Sequence, residues 1–190
     1  MNGERGMITT KWKLFMDYEK EEKWLNEMSA KGFAFSNFAF GRYTFTDCRP
    51  GEYIYRLELL EKSPKNPESQ KYLRFLEESG VELVSSWIKF AYLRKKAEDG
   101  SFEIFTDSDS LLQHYRRISM LWLPFIFIWA TLCITRLMIG LDQLNGGEGD
   151  FILTLFLLGL SVIFTAVFAY HWNKLRKKTK KLKQEKRIRE

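Results

Sequence analysis

The chain is short of the residues that most often build catalytic and metal sites. Its 190 residues include two histidines and two cysteines, with Cys48 and Cys133 far apart. These residues show no metal-ligand spacing, and two distant cysteines predict no disulfide framework. We therefore expect no metal ion, no cofactor and a reducing, cytoplasmic setting for the soluble part of the chain.

Motifs that carry known chemistry are also missing. The sequence has no glycine-rich phosphate loop, no nucleophile elbow, no paired-histidine zinc motif and no paired-cysteine redox motif. His114 and His171 have no acid or nucleophile partner that the sequence places beside them. The amino-terminal "MNGERGMITTKWK" has no apolar core, so a secretory signal is not expected. We predict no catalytic residue and no enzymatic activity.

The second half of the chain contains two long apolar runs without formal charge. They are "ISMLWLPFIFIWATLCIT" at residues 118–135 and "FILTLFLLGLSVIFTAVFAYHW" at residues 151–172. As helices, runs of ~20 apolar residues cross the ~30 Å hydrocarbon layer of a membrane. We predict one transmembrane helix over 118–141, a short acidic loop over 142–150 and a second transmembrane helix over 151–172.

Charge predicts the orientation of this hairpin. Residues 116–190 carry 13 Lys/Arg against 5 Asp/Glu, whereas residues 1–115 carry 17 against 19. The loop over 142–150 contains acidic residues but no Lys or Arg. Since basic residues stay on the cytoplasmic side, we expect a multi-pass protein of the cell membrane with both termini in the cytoplasm.

The basic tail, residues 173–190, admits two interpretations. Dense positive charge suits nucleic acid, but a tail attached to a membrane helix meets anionic lipid headgroups first. We expect lipid of the inner leaflet as the partner, and no direct nucleic-acid binding. The residues expected to face lipid are Lys174, Arg176, Lys177, Lys178, Lys180 and Lys181.

The first half, residues 1–106, predicts an α+β domain. "KWKLF" at 11–15 alternates like a strand, and Asp17 can cap a helix that Gly32 ends. Two aromatic strands around Gly41 follow, and then the strand "GEYIYRLELL".

The same order then recurs. A helix begins at Asn66 with Pro67 in its first turn and ends at Gly80, and "VELVSSWIKFAYLRKK" supplies two strands. Asp99-Gly100 predicts a hairpin turn leading to "SFEIFT". We predict a duplicated βαββ domain, an antiparallel sheet with two helices on one face. A juxtamembrane helix over 107–117, capped by Asp107 or Ser108, leads directly into the first membrane span.

Aromatic residues are concentrated in three successive strands of the first repeat. The phenylalanines of this segment change from odd to even positions partway along it, at Phe33, Phe35, Phe38 and Phe40. This change predicts a bulge at Ser36-Asn37. The aromatic residues could form the core of the sheet, or a cleft on its open face for an apolar ligand or a partner segment. The candidate ligand or partner surface comprises Phe38, Phe40, Tyr43, Tyr53, Tyr55 and Arg56.

The segments "EEKWLNEMSAKGFAF" and "GRYTFTDCRPGEYIYRLELL" resemble the DUF2812 family of uncharacterised proteins from Firmicutes. The resemblance covers about residues 10 to 110, and two membrane spans also follow in many members of that family. It implies no catalytic residues. Because members are often encoded beside PadR-type transcriptional regulators, it implies a regulatory setting, with such a regulator as one protein partner. The duplicated element order is also similar to that of GyrI-like small-molecule-binding domains.

These features favour a membrane-anchored cytoplasmic module for sensing or protein interaction, with a regulatory role. The alternative is a GyrI-like small-molecule-binding domain tethered to the membrane. A membrane enzyme lacks a titratable pair in the sequence, and a pore subunit would require several copies to assemble. A homo-oligomer is a further candidate, because the small residues Ser161, Thr165 and Ala169 of the second span could pack against the first span or against another copy.

Overall fold

The computed structural model describes residues 8–104 and 108–189. The chain divides into two compact units, Met1–Thr106 and Asp107–Glu190, which are described separately below. The helix cap expected at Asp107 lies outside the described residues.

The first unit contains two copies of a strand–helix–strand–strand repeat, as the sequence predicts. Its elements in chain order are β1 (Thr9–Trp12), α1 (Tyr18–Ala30), β2 (Phe33–Ala39), β3 (Arg42–Asp47), β4 (Tyr53–Leu59), α2 (Pro67–Glu78), β5 (Val81–Trp87) and β6 (Phe90–Lys96), with a 3-10 turn at Ala97–Asp99.

The helices begin where capping side chains satisfy their first amides. The Asp17 carboxylate accepts from the Glu19 backbone N–H at 3.2 Å, and the Asn66 side chain accepts from that of Glu68 at 3.0 Å. Gly32 has φ 85° just after α1, and Gly80 has φ 80° just after α2. These left-handed residues turn the chain from each helix into the following strand, as predicted.

The strands form two antiparallel sheets of three, ordered β1-β3-β2 and β4-β6-β5. The α+β class and the duplication are confirmed, but the expectation of one sheet is wrong. Strand β2 carries the predicted bulge between Phe35 and Asn37, and β5 carries one between Leu83 and Ser85. Bulges interrupt the regular ladder on both strands. Strands β2 and β5 are edge strands of the two sheets, and a side chain connects them. The Ser85 hydroxyl on β5 accepts from the Phe38 backbone N–H on β2 at 3.2 Å.

The two repeats correspond almost residue by residue. Strands β2 and β5 start at Phe33 and Val81, which are 48 residues apart (81 − 33). The same spacing relates the residues with positive φ at the turns that follow, Phe40 with φ 47° and Ile88 with φ 56°. The two repeats therefore follow the same backbone path, which accounts for the loose similarity of their sequences.

Two predicted strand boundaries are wrong. The first strand runs over Thr9–Trp12 rather than 11–15, although the Lys13 N–H still donates to the Gly41 carbonyl at 2.9 Å. The described part of "SFEIFT", residues 101–104, is not a strand. Both edges of β6 are already paired, with β4 and β5, so β6 has no free edge for a hairpin partner after Gly100.

The main core lies between α1 and both sheets. Its fully or almost fully buried members are Leu25, Met28, Phe35, Tyr43, Phe45, Tyr55, Leu57 and Tyr92. Because these residues come from both repeats, neither repeat encloses this core alone. A second cluster packs α2 against β5 and β6 around Leu73, Leu76 and Leu93.

The second unit is a pair of long helices, α3 (Ser108–Leu144) and α4 (Phe151–Arg189). Both are long and apolar enough to cross a membrane, and only 6% and 11% of their most apolar windows are buried within the structure. The core helix of a soluble protein would be mostly buried, so this exposure agrees with the predicted hairpin. Residues 108–117 and the first apolar run lie on one continuous helix, α3.

Aromatic rings pack between the two helices of this unit. Trp129 stacks on Phe164 with ring centroids 4.4 Å apart, and Trp122 stacks on His171 at 5.3 Å. Ser161 and Thr154 are buried on α4, where small side chains allow close approach of the helices.

Candidate functional site

A buried carboxylate of the α+β unit, Glu21 on α1, is bound by tyrosines from both sheets. Its side chain is only 8% exposed. The hydroxyls of Tyr43 on β3 and Tyr92 on β6 both donate to its Oε1 oxygen, at 2.6 and 2.7 Å. Neither tyrosine uses Oε2. One carboxylate therefore joins the helix to a strand of each sheet.

Aromatic rings surround this carboxylate on the side of the two sheets. Phe35 and Phe38 each contact both tyrosines, with ring centroids 4.8 to 6.0 Å apart. The faces of such rings carry partial negative charge, which attracts cations. We call Glu21, Tyr43, Tyr92, Phe35 and Phe38 the Glu21 cluster.

A continuous row of rings leads from the Glu21 cluster to the surface. Phe38 lies 5.8 Å from Trp87, and Trp87 lies 4.4 Å from Phe40, between ring centroids. Phe38 and Trp87 are half-buried, and Phe40 is 78% exposed. This row of rings connects the Glu21 cluster to an exposed aromatic side chain at the surface.

Burial raises the pKa of all three ionisable side chains of the Glu21 cluster. Desolvation raises the pKa of Glu21 above its usual range, although the two tyrosine hydrogen bonds oppose this shift. Burial, together with the nearby Glu21 charge, raises the pKa of Tyr43 and of Tyr92. The tyrosines therefore remain donors, and the carboxylate is the group that can change protonation state.

A second set of α1 side chains binds the free edge of β4. The Asn26 amide donates to the Tyr55 carbonyl at 3.0 Å and accepts from the Tyr55 N–H at 2.8 Å. The Ser29 hydroxyl donates to the Tyr53 carbonyl at 2.6 Å, and Glu22 accepts from the Leu57 N–H at 2.9 Å. These side chains replace a neighbouring strand, which protects the edge of the sheet.

Of the six predicted surface residues, two are core residues. Tyr43 and Tyr55 are 1% and 0% exposed, so they do not line an open face of a sheet. Tyr43 instead binds Glu21, while the Tyr55 hydroxyl accepts from the Phe35 N–H at 2.9 Å. Alternation with polar residues assigns each tyrosine to one side of its strand, but it does not show which side the other layers of the fold cover.

The other four predicted residues lie at different places. Phe38 and Phe40 belong to the row of rings that leads outward from Glu21. Arg56 donates to the Glu22 carboxylate at 3.0 Å and to the Phe102 carbonyl at 2.9 Å. The Tyr53 ring lies under the Arg94 guanidinium at 4.4 Å. Arg56 and Tyr53 are thus used in contacts within the fold, and the six residues do not form one surface.

The basic tail is the end of α4 and not a loose segment. Leu175 is buried, and the Lys178 ammonium lies 5.7 Å from the centroid of the Tyr115 ring on α3. Lys186 pairs with Asp109 at 2.7 Å. Of the residues predicted to face lipid, Lys174 and Lys178 are half-buried, while the exposed ones are Arg176, Lys177, Lys180 and Lys181.

The described residues contain no group of three or more His, Cys, Asp or Glu side chains arranged to hold a metal ion. Burial and the Glu52 charge raise the pKa of the Cys48 thiol. An activated cysteine nucleophile needs the opposite shift.

Sequence reasoning missed Glu21, Glu22, Asn26 and Ser29 as residues with special contacts. Glu21 and Glu22 lie in the first turns of α1, where acidic residues are expected for the helix dipole alone. A signal was present nonetheless, because Glu21 lies on the same helical face as Leu25 and Met28. A charged residue in an apolar stripe requires a buried partner.

The comparison with known families finds a match, which covers more than half of the chain. The family model described as "Protein of unknown function (DUF2812)" matches residues 17–127. The chain belongs to this family. The DUF2812 match begins at the cap of α1, covers both helix-containing parts of the repeat and continues into the first half of α3. No curated protein and no solved structure matches the chain.

Proposed function

We propose that this DUF2812 protein is a membrane-anchored sensing module whose α+β unit binds a lipophilic cation at the Glu21 cluster. The observation that carries the proposal is the Glu21 carboxylate, 8% exposed and held between aromatic rings of both sheets. A buried carboxylate is costly unless it is paired. Two neutral phenols offset that cost only in part, as the raised pKa of Glu21 indicates.

A cation bound beside Glu21 would complete the pairing. Its charge would face Oε2, which neither tyrosine uses, and its apolar groups would pack on Phe35 and Phe38. Cation–π attraction to desolvated aromatic rings contributes about 2 kcal/mol or more. The row of rings through Trp87 and Phe40 supplies the route of entry, with side-chain rotation of half-buried Phe38 admitting the ligand.

The test uses the full chain in lipid nanodiscs and the fluorescent lipophilic cation rhodamine 6G. We expect saturable binding, measured by fluorescence anisotropy, after subtraction of the signal from protein-free nanodiscs. Glu21→Gln keeps the shape of the side chain but removes its charge, so it should weaken binding at least about tenfold. Glu27→Gln removes an exposed carboxylate of the same helix and is the matched control.

The pH dependence of rhodamine 6G binding is a second test of the same site. Because protonation neutralises Glu21, affinity should fall as the pH is lowered through its raised pKa, and Glu21→Gln should abolish this dependence. Equal rhodamine affinity in the wild type, Glu21→Gln and Glu27→Gln would reject a ligand site at Glu21.

The membrane anchor is the second part of the proposal. We place α3 and α4 across the cell membrane with both termini in the cytoplasm, supported by the basic residues at one end of the hairpin and the acidic loop at the other. The output of sensing would then be a cytoplasmic protein partner, for which a PadR-type regulator is the first candidate. Co-purification from native membranes with and without rhodamine 6G tests whether a partner is released or captured.

A further inference from the structure

The α+β unit exposes three large apolar side chains at one end of its first sheet and the adjoining hairpin. Leu14 is 87% exposed, Phe40 78% and Ile88 76%. Phe40 and Ile88 occupy equivalent turns of the two repeats. We call these three residues the tip patch.

Contacts place the members of the tip patch at the same end of the unit. The Phe40 ring lies 4.4 Å from Trp87, the residue directly before Ile88. A Cβ on Gly41 would come within 2.7 Å of the Leu14 Cδ2, so Leu14 lies against the turn that carries Phe40. The two turns and the segment after β1 therefore meet at the same end of the unit.

The backbone at both turns is unfavourable for the residues present. Phe40 and Ile88 have φ of 47° and 56°, where glycine or asparagine is favoured and a β-branched residue is a rare outlier. Such strain persists where the surrounding structure enforces it, often at functional sites. Solvent exposure means that core packing does not explain an isoleucine at this position.

Basic residues adjoin the tip patch. Lys13 precedes Leu14, Arg42 follows the Phe40-Gly41 turn, and Lys89 follows Ile88; all three are exposed. Lys89 Nζ donates to the Glu61 carbonyl at 2.8 Å, which brings one acidic residue to the same end. Exposed apolar side chains beside a net positive charge fit the interface of an anionic membrane.

We infer that the tip patch inserts into the interfacial layer of the anionic membrane in which α3 and α4 are anchored. The chain itself keeps the α+β unit within a short tether of the predicted membrane span. Thirteen residues, 105–117, separate the last described residue of the α+β unit from the first apolar run, and those from Ser108 onward are helical. The inference rests on membrane insertion of the hairpin. It shares Phe40 with the proposed entry route but requires no ligand at Glu21.

The test places an environment-sensitive NBD fluorophore on single cysteines of the full chain, in a Cys48→Ser/Cys133→Ser background. Labels at Phe40→Cys and Ile88→Cys report the tip patch. Glu77→Cys on α2 is the exposed control, and Ile163→Cys, 60% exposed on α4, reports insertion of the hairpin. The protein is reconstituted in vesicles of phosphatidylcholine and phosphatidylglycerol that contain nitroxide-labelled lipid.

We expect lipid nitroxides to quench NBD at positions 40, 88 and 163 but not at 77. Arg42→Gln and Lys89→Gln should each lower the ratio of inserted to free tip patch by roughly fivefold. Ile88→Gly should reduce quenching of the label at position 40 while raising the thermal stability of the unit, because glycine relieves the positive φ. If Ile88 had only a structural role, its replacement by glycine would not reduce quenching at position 40 while increasing thermal stability.

Two outcomes would overturn the inference. Quenching at position 163 without quenching at 40 or 88 would mean that the hairpin is inserted while the tip patch faces water. A blue-shifted, unquenched label whose emission depends on protein density would mean that a second copy of the chain covers the patch. Loss of quenching at 163 would remove the anchor and reject the inference together with the proposed membrane topology, but not the ligand site at Glu21.

Discussion

At the scale of single residues, burial raises the pKa of both Glu21 and its neighbour Glu22, and Glu21 is the more buried of the two. Most carboxylates of folded proteins are paired and lose stabilising interactions in acid. Glu21 behaves in the opposite way, because burial raises its pKa above the ordinary value of 4.5. The native state therefore binds the proton of this residue more tightly than the unfolded state does.

The sign of the resulting prediction follows from this linkage. Between the ordinary pKa of glutamate and the raised pKa of Glu21, stability contributed by this residue falls as pH rises, by at most about 1.4 kcal/mol per pH unit. Glu21→Gln removes the titration, so the variant should gain stability relative to wild type as pH rises through this window. Above the raised pKa the difference should become constant.

Hydrogen–deuterium exchange of β3 and β6 in the full chain, corrected for the intrinsic effect of pH, measures this difference. Glu27→Gln, which removes an exposed carboxylate, should show no such pH-dependent difference. A difference between Glu21→Gln and wild type that stays constant between pH 4 and 8 would contradict a raised pKa at Glu21.

At the scale of secondary-structure elements, α1 functions as a substitute strand for β4. Asn26 satisfies both backbone groups of Tyr55, and Ser29 binds the Tyr53 carbonyl two residues away. Alternate residues of β4 are therefore spaced so that they meet side chains lying about one helical turn apart on α1. These hydrogen bonds join α1, the helix of the first repeat, to β4, the first strand of the second repeat.

Asn26→Ala tests this connection. The change leaves the N–H and C=O of Tyr55 without their partner at a partly buried edge, so we expect a loss of about 2 kcal/mol in the free energy of unfolding. Lys23→Ala, at a side chain 80% exposed on the same helix, should change stability little. Protection of the Tyr55 amide against hydrogen exchange should fall in Asn26→Ala alone, and unchanged protection would show that the edge bonds do not contribute.

The sequence predicts the elements better than their partners, and α1 illustrates the reason. Asp17, Gly32 and the apolar stripe around Leu25 act locally, within one helix and its caps, and each was predictable from spacing. The bonds of Asn26 and Tyr55 join residues 29 positions apart in the chain, and a polar residue on a helix reveals no such partner. The same limit hid the Glu21 cluster, since Tyr43 and Tyr92 come from different repeats.

At the scale of the whole molecule, the helical tail changes how the basic residues can act. At about 1.5 Å per residue, Lys180 lies ~12 Å along the helix from Trp172, the last residue of the predicted span. That distance exceeds the Debye length of ~8 Å at physiological salt. For an α4 that crosses the membrane and continues straight out of it, we expect Arg176 and Lys177 to attract anionic lipid more strongly than Lys180 and Lys181 do.

Topology itself can be tested on intact cells with a membrane-impermeant maleimide. In the Cys48→Ser/Cys133→Ser background, Asn145→Cys lies in the loop between α3 and α4, and Lys180→Cys lies on the basic end of α4; both positions are exposed. Because basic residues resist translocation, we expect labelling at 145 from outside and at 180 only after permeabilisation. Adding three lysines to the loop would reduce the difference in Lys/Arg content between the two sides of the hairpin and should raise the fraction of molecules with position 145 protected. Labelling of position 180 in intact cells would contradict the cytoplasmic tail, and protection of both positions would place the loop inside as well, which two spanning helices do not allow.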